Sequence, residues 1–280
     1  MEYSTTILLS TYNGEKYLAQ QLDSILAQTD QDWSLLIRDD GSSDKTKEII
    51  DQYVSLHPAQ IKQLASDKNL GVVNSFGTLL QESDSDYFFF CDQDDVWLPN
   101  KIELTKAKMK EEEMNHPESP IAIFTDLRVV DEELQTICNS FWEYSKIDPI
   151  ILSTFDELCV HPAATGCTMM INKKGKECSL PFNDDVRMHD AWIILSILKN
   201  DGHINFIKDQ TMLYRQHVGN VVGAINENDS YFLNRIKEIK NVIKKNQQQW
   251  KMIKRLGFSS LPKYLYLKVT YRHKYNTKHK

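Results

Sequence analysis

The chain lacks the features that mark disulfide-rich, zinc-binding and membrane-spanning proteins. Its five cysteines are odd in number and form no CxxC pair, which argues against a disulfide framework and against a zinc knuckle. No apolar run approaches the ~20 residues that a helix needs to cross a bilayer. The first residues enter an apolar run directly, without the charged and then apolar pattern of a secretory leader. We therefore expect a cytoplasmic protein.

The composition is that of a globular protein, with 41% hydrophobic and 26% charged residues among 280. This length predicts one large domain, or one domain with an appendage. Charge is unevenly spread: residues 231–280 hold 14 Lys or Arg and one acidic residue, whereas residues 1–230 hold 19 basic and 38 acidic residues, a net of −19. We therefore expect a main domain over residues 1–225 and a basic helical extension over residues 226–280.

The basic extension has two interpretations that the sequence leaves open. It is either a solvated helical surface or a contact surface for anionic lipid headgroups at the inner face of a membrane, where each basic residue adds ~1 kcal/mol. Binding to nucleic acid is disfavoured because the rest of the chain is acidic. The extension is too small for a core of its own, so pairing with another chain in an oligomer also stays open.

Strand-like and helix-like segments alternate along the first hundred residues. Apolar runs at residues 5–10, 33–38 and 87–91 predict strands, and helical spacing of apolar residues follows the first two. This alternation predicts an α/β fold with a mostly parallel central sheet flanked by helices. In such sheets ligands bind beyond the carboxyl ends of the strands. Asn13, Asp39, Asp40 and the acidic cluster at residues 92–95 fall at those ends, so they should converge on one crevice.

Three carboxylates, Asp92, Asp94 and Asp95, follow the third of these strands. Carboxylates this close repel one another and raise each other's pKa. A divalent cation such as Mg²⁺ or Mn²⁺ would offset their charge, and these ions take oxygen ligands and often keep substrate phosphates in their coordination shell. The segment thus predicts a metal that holds a phosphorylated substrate. The alternative is an acidic loop that caps the helix after Pro99.

Five short motifs in a fixed order resemble those of a known family. They are Ser10–Gly14, Asp39–Asp44, Asn69–Gly71, Asp92–Asp95 and His189–Asp190. Together they are similar to the motifs of family 2 glycosyltransferases with the GT-A fold, over about residues 4–223. The longer strings Asp92–Trp97 and Tyr214–His217 are similar to those of bacterial rhamnosyltransferases.

The resemblance implies transfer of a sugar from a nucleoside-diphosphate sugar to a glycan acceptor in cell-surface polysaccharide or glycoconjugate synthesis. The leading donor is dTDP-L-rhamnose, and UDP-galactose or UDP-glucose is the main alternative. The acceptor would be a lipid-linked glycan or a glycoprotein, and the basic extension fits the lipid-linked kind.

The resemblance also implies roles for single residues. Asp94 is expected to bind Mn²⁺ or Mg²⁺, Asp92 to bind the metal or the donor ribose, and His217 to bind the metal or the diphosphate. Tyr12 either stacks on the base or packs ordinarily, and the sequence does not distinguish which of the neighbouring aspartates contacts the base or ribose. The full set expected to bind the nucleotide sugar is Thr11, Tyr12, Asn13, Asp39, Asp40, Asn69, Asp92 and Arg215.

The family's reaction is inversion by direct displacement, which requires a general base for the acceptor hydroxyl. Asp190 matches that position and begins an apolar helix, whose N-terminus stabilises a carboxylate.

Two other functional classes are alternatives to a glycosyltransferase. A nucleotidyltransferase is disfavoured because the first strand is followed by Ser-Thr-Tyr-Asn-Gly rather than a glycine-rich basic loop. A non-catalytic nucleotide-sugar-binding module is disfavoured because Asp94 and Asp190 are both present.

Overall fold

The computed structural model describes residues 4–66, 68–217 and 239–279. The predicted boundary at 225/226 and the loop with Gly219 and Gly223 lie outside these ranges. The strands are β1 (Thr5–Thr11), β2 (Ser34–Asp39), β3 (Ile61–Gln63), β4 (Tyr87–Cys91), β5 (Val96–Trp97), β6 (Ile121–Val130), β7 (Thr136–Cys138), β8 (Met170–Asn172) and β9 (His203–Arg215). The helices are α1 (Leu18–Leu26), α2 (Thr46–Leu56), α3 (Gly71–Glu82), α4 (Lys101–Asn115), α5 (Phe141–Tyr144), α6 (Phe155–Val160), α7 (Lys173–Ser179), α8 (His189–Lys199), α9 (Ile239–Arg255) and α10 (Leu261–Lys278).

The strands form one sheet in the order β3-β2-β1-β4-β8-β6-β9-β5, and β7 pairs with β6. The first four strands in this order are mutually parallel, as the alternating pattern predicts. β8 runs antiparallel between β4 and β6, and β6 pairs in parallel with β9. The carboxyl ends of β1, β2 and β4 therefore lie along one edge, which places their three loops together.

The central strands are buried on both faces, because helices cover the sheet on each side. Along β4, Phe88 and Phe90 pack in one apolar cluster with α3 and α8. The intervening Phe89 packs in the other cluster, with side chains of α1 and α4. This explains why β4 is apolar at every position rather than at alternate ones.

Two elements differ from the sequence expectation. The predicted strand at residues 165–171 is a 3₁₀ turn (Gly166–Thr168) followed by the short β8. The predicted short strand at residues 204–207 instead continues through the polar residues 208–211 to Arg215 as β9. The cause is pairing of its second half with β6, and of Met212 and Leu213 also with β5. β9 thereby brings its last residues beside the acidic cluster that follows β4.

The C-terminal helices pack on the main domain. Met252, Ile253, Leu256 and Phe258 are buried in the same apolar cluster as α8. All five cysteines are free. Among the described helices, none is both long enough and apolar enough to span a bilayer.

Candidate active site

A cavity of about 380 Å³ lies at the carboxyl ends of β1, β2 and β4. That volume is typical of a pocket for a small molecule. Seven residues predicted for the site line it, namely Thr11, Tyr12, Asp40, Asn69, Asp92, Asp94 and Asp190. The rest of the lining is Ser10, Gly71, Val72, Gln93, Phe141, Thr165, Gly166, Cys167, Met188, His189 and Tyr214. Asn13, Asp39, Arg215 and His217 do not contribute to the lining.

The two neighbouring aspartates after β2 hold different loops. Asp39 accepts hydrogen bonds from the Thr11 hydroxyl at 3.1 Å and from the amides of Gly41 and Ser42. Asp40 forms an ion pair with the buried Arg38 and accepts from the amide of Leu70 at 2.7 Å. Of the two, Asp40 lines the cavity, so we propose Asp40 rather than Asp39 for the donor contact.

The two asparagines predicted to bind the donor both accept hydrogen bonds from backbone amides of the loops. Asn13 has a left-handed φ of 48°, and its side-chain oxygen accepts from the Ser43 amide at 2.9 Å. Asn69 lines the cavity, and its side-chain oxygen accepts from the Gly71 amide at 3.2 Å. The Asn13 side chain therefore joins the loop after β1 to the loop after β2, whereas the Asn69 side chain stabilises its own turn and faces the ligand space.

Gln93 joins the loop after β1 to the loop after β4. Its Oε1 accepts from the Tyr12 amide at 2.8 Å, and its Nε2 donates to the Tyr12 carbonyl at 3.1 Å. This pair of bonds, the amide clasp, leaves the Tyr12 ring 51% exposed at the cavity. An exposed aromatic ring on a fixed backbone is placed to stack on a base.

The acidic cluster is partly buried, and its charges interact. Burial, together with the charges of Asp94 and Asp190, raises the pKa of Asp92 to about 7. Burial raises the pKa of Asp95 well above its usual range, and Asp94 and Asp92 add to this effect. Asp95 is fully buried, and its Oδ2 has no hydrogen-bond partner among the described residues. Asp92 and Asp94 face the cavity, whereas Asp95 lies behind them.

The donor atoms around this cluster fit a hard divalent cation. Nε2 of His217 lies 2.8 Å from Oδ2 of Asp94, so His217 reaches the cavity through Asp94. Asp92, Asp95 and Cys167 place ligand atoms within 4.8 Å of one another. Carboxylates suit Mn²⁺ and Mg²⁺, whereas a thiol such as that of Cys167 suits softer metals. This group of three therefore shares only Asp92 with the predicted set of Asp92, Asp94 and His217. A cation between Asp92 and Asp94 would offset the repulsion that raises the pKa of Asp92.

Arg215 supports the acidic cluster from behind. Its Nε donates to the Asp94 carbonyl at 2.9 Å, and its other guanidinium nitrogens donate to the Glu132 carbonyl and to Oε1 of Gln20. Its backbone amide donates to Oδ1 of Asp95 at 3.1 Å. The side chain is 2% exposed. These contacts position the loop, and the donor contact inferred from the resemblance stays a prediction.

Asp190 lies in the first turn of α8, at the wall of the cavity. Its Oδ2 accepts from the Gly166 amide at 3.1 Å, and its Oδ1 accepts from the Ala191 amide at 2.6 Å. The neighbouring His189 stacks on Phe76 with ring centroids 4.2 Å apart, and burial lowers its pKa. A Cβ at Gly166 would lie 2.4 Å from Nε2 of His189, so a larger residue there would displace the His189 ring from its stack on Phe76. The 3₁₀ turn therefore fixes the carboxylate of Asp190.

Several residues of the site carry no sequence signal that identifies them. Gln93 stands inside the acidic motif, but nothing in the pattern shows that its amide reaches Tyr12. Gly166 was expected to lie near the start of a strand rather than to hold Asp190. The apolar walls, Val72, Phe141, Met188 and Tyr214, come from four separate parts of the chain. Only the fold brings them together.

Solved structures with the same fold bind nucleotide sugars. A mannosyltransferase from Pyrobaculum calidifontis in complex with GDP-Man and Mn²⁺ superposes with a TM-score of 0.64 at 15% identity, over 97% of this chain and 70% of that one. S. aureus TarS residues 1–349 with UDP-GlcNAc gives a TM-score of 0.58 at 16% identity, over 94% and 79%. The fold is that of GT-A glycosyltransferases, an α/β fold.

The sequence comparisons define the family. The model of glycosyl transferase family 2 matches residues 6–122. The dTDP-rhamnosyl transferase RfbG of Shigella flexneri is 32% identical over 235 residues, which cover 77% of this chain and 74% of that protein. The Escherichia coli protein WfgD, a UDP-Glc:alpha-D-GlcNAc-diphosphoundecaprenol beta-1,3-glucosyltransferase, is 25% identical over 71% of this chain and 72% of its own. The chain belongs to glycosyl transferase family 2 and is a rhamnosyltransferase-like glycosyltransferase, as the motif order indicates.

Proposed function

We propose that this glycosyltransferase moves L-rhamnose from dTDP-L-rhamnose to a lipid-linked glycan during synthesis of a cell-surface polysaccharide. The observation that carries the proposal is one cavity in which Asp190 on α8 faces the acidic cluster after β4. The similarity to a dTDP-rhamnosyl transferase over three quarters of the chain supports the choice of donor. The glucosyltransferase relative, whose name specifies a diphosphoundecaprenol acceptor, supports a lipid-linked acceptor.

In the proposed reaction the nucleotide lies along the loops after β1 and β2. The Tyr12 ring stacks on the base, and Asp40 accepts a hydrogen bond from the base or ribose. Asp92, Asp94 and His217 would hold Mn²⁺ or Mg²⁺, which when bound supplies positive charge to the leaving diphosphate. The apolar walls at Val72, Phe141, Met188 and Tyr214 suit a 6-deoxy sugar, whose C6 is a methyl group.

Asp190 acts as the general base in this proposal. An acceptor hydroxyl beside it transfers its proton to the carboxylate as the oxygen attacks the anomeric carbon. The bond to the nucleoside diphosphate breaks on the opposite face of the sugar, and the configuration inverts. The Gly166 amide keeps one oxygen of Asp190 in place. We also propose that the enzyme binds peripherally to the inner face of the membrane.

A panel of nucleotide sugars tests the proposal. Donor hydrolysis and thermal stabilisation are measured with dTDP-L-rhamnose, UDP-glucose and UDP-galactose, each with Mn²⁺, Mg²⁺ or EDTA. We expect a metal-dependent response that is selective for dTDP-L-rhamnose. A preference for UDP-glucose, the alternative that the second relative favours, would overturn the donor and keep the mechanism. Binding without turnover, even with a lipid-linked acceptor present, would indicate a non-catalytic module.

A further inference from the structure

The C-terminal helix α10 is held on the main domain by ion pairs along its inner face. Lys274 pairs with Glu157 at 3.1 Å and Lys278 with Asp148 at 2.7 Å. Lys263 pairs with Asp156. These contacts neutralise part of the basic excess that the sequence shows. They also fix which face of the helix turns away from the domain.

The outward face of α10 carries an exposed apolar row. Leu261, Leu265 and Val269 follow one another at four-residue spacing, and Tyr266 lies beside them, so the four side chains share a face. Leu265 is 53% exposed, Tyr266 65% and Val269 75%. Residues 239–279 contain no Asp or Glu, and Lys268 and Arg272 are exposed at three-residue spacing from Leu265 and Val269.

We propose that this outer row inserts into the surface of a membrane that contains anionic lipid. The inference rests on the proposed function, because a lipid-linked acceptor is presented at such a surface. The inner side of α10 is apolar as well, because it packs on the domain, so the outer row must be considered by itself. An exposed apolar row with basic residues beside it is what a helix in the interface plane presents to lipid. A second copy of the chain fits less well, because two faces without any acidic residue would repel each other.

The position of α10 connects this surface to the acceptor side of the cavity. α10 packs against α6, and the ring of His161, which ends α6, lies 4.5 Å from the ring of Tyr271. From His161 the chain runs directly to the Gly166 turn, whose amide holds Asp190. This packing links α10, through α6 and residues 161–166, to the carboxylate that we propose as the general base.

Vesicle flotation of the full-length protein tests the inference. The test variant is Leu265→Ser/Tyr266→Ser/Val269→Ser. The matched control is Leu56→Ser/Met114→Ser/Ile137→Ser, which removes three exposed apolar side chains from other elements. Vesicles of phosphatidylcholine are used with and without phosphatidylglycerol. We expect the wild-type and control proteins to bind the anionic vesicles. The test variant should partition about a hundredfold less, since each partly inserted side chain is worth about a factor of five.

Donor hydrolysis in solution and sedimentation velocity complete the experiment. The test variant should hydrolyse the donor at the wild-type rate, because α10 does not line the cavity. Vesicle binding equal to wild type in the test variant would overturn the inference, as would a wild-type dimer that the three substitutions dissociate. If no sugar is transferred even with a lipid-linked acceptor present, while vesicle binding behaves as expected, the proposed function fails and the inference about the membrane stands.

Discussion

The amide clasp between Gln93 and Tyr12 allows us to predict how a substitution at Gly14, in the turn after β1, affects nucleotide binding. A Cβ at Gly14 would lie 2.4 Å from Oε1 of Gln93 and 2.7 Å from its Cδ. Gln93 is a flexible side chain, so Gly14→Ala should leave the fold intact and push the amide away from Tyr12. The expected effect is on nucleotide binding, since the loop that carries Tyr12 loses its support.

The size of the effect follows from the two bonds that are lost. Each neutral hydrogen bond contributes about 0.5 to 1.5 kcal/mol net, so the clasp is worth about 1 to 3 kcal/mol. If the ordered loop is needed for binding, the Kd for the nucleoside diphosphate should rise about fivefold to a hundredfold. Gln93→Ala removes the same two bonds and should give the same Kd.

A double-mutant cycle read by calorimetric titration of dTDP and UDP checks this. Gly14→Ala should cost nothing further in the Gln93→Ala background, because the group it displaces is gone. The matched control is Gln31→Ala, which removes a glutamine amide bonded to backbone carbonyls of residues 26 and 28. It should bind both nucleotides as wild type does. Strictly additive losses from Gly14→Ala and Gln93→Ala, or wild-type affinity in either single variant, would refute the reasoning.

Three further predictions concern the base, the metal and the buried arginine. Asp190→Asn keeps an acceptor for the Gly166 amide, so kcat for transfer should fall about 10²- to 10⁴-fold while dTDP binding, measured by titration, is unchanged. In EDTA the free energy of unfolding should fall as pH rises from about 4 to 7, because folded Asp92, with its pKa raised to about 7, holds a proton that the unfolded chain releases near 3.8. The expected loss is about 1 to 2 kcal/mol after solvent screening. Urea unfolding should show the loss, and Mn²⁺ should reduce it. A stability that does not fall with pH in the wild type would contradict the raised pKa, and an undiminished slope in Asp94→Asn would exclude the contribution of Asp94. Arg215→Met leaves the carbonyls of Asp94 and Glu132 unpaired, so it should lower the free energy of unfolding by about 3 kcal/mol. The Tm, followed by circular dichroism, should then fall by about 6 to 12 °C. An unchanged Tm would exclude this supporting role.

The sequence predicts the parallel part of the fold because that part is built from local signals. The runs that become β1, β2 and β4 are apolar, each ends in polar residues, and parallel strands bring those ends to one edge. This places Thr11, Asp40 and Asp92 in one cavity without knowledge of any contact. The family and the fold follow from the same motifs.

Other features depend on contacts between distant residues and leave no local pattern. Residues 208–215 of β9 begin with four polar residues, and they become a strand because β6 and β5 supply hydrogen-bond partners. The turn at Gly166 replaces a predicted strand because its amide binds Asp190, 24 residues away. Likewise the split between Asp39 and Asp40 depends on which loop each carboxylate reaches, and adjacent identical residues give no sign of that.

The loops that hold the donor side of the cavity are joined by side chains that bond to backbone. Asp40, Gln93 and Arg215 each bond to the backbone of a segment far away in sequence. Asp39 accepts from the distant Thr11 hydroxyl, and its bonds to backbone amides stay within its own turn. The side chains of Val72, Met188 and Phe141 form apolar walls of the cavity and take no part in these hydrogen bonds. An attempt to redirect the enzyme to another sugar should therefore vary the wall residues and conserve the four framework residues. Such a library is small, because it varies only the wall positions. Diversity among relatives with different donors would then concentrate in wall side chains, which pack against the apolar core but hold no loop in place by hydrogen bonds.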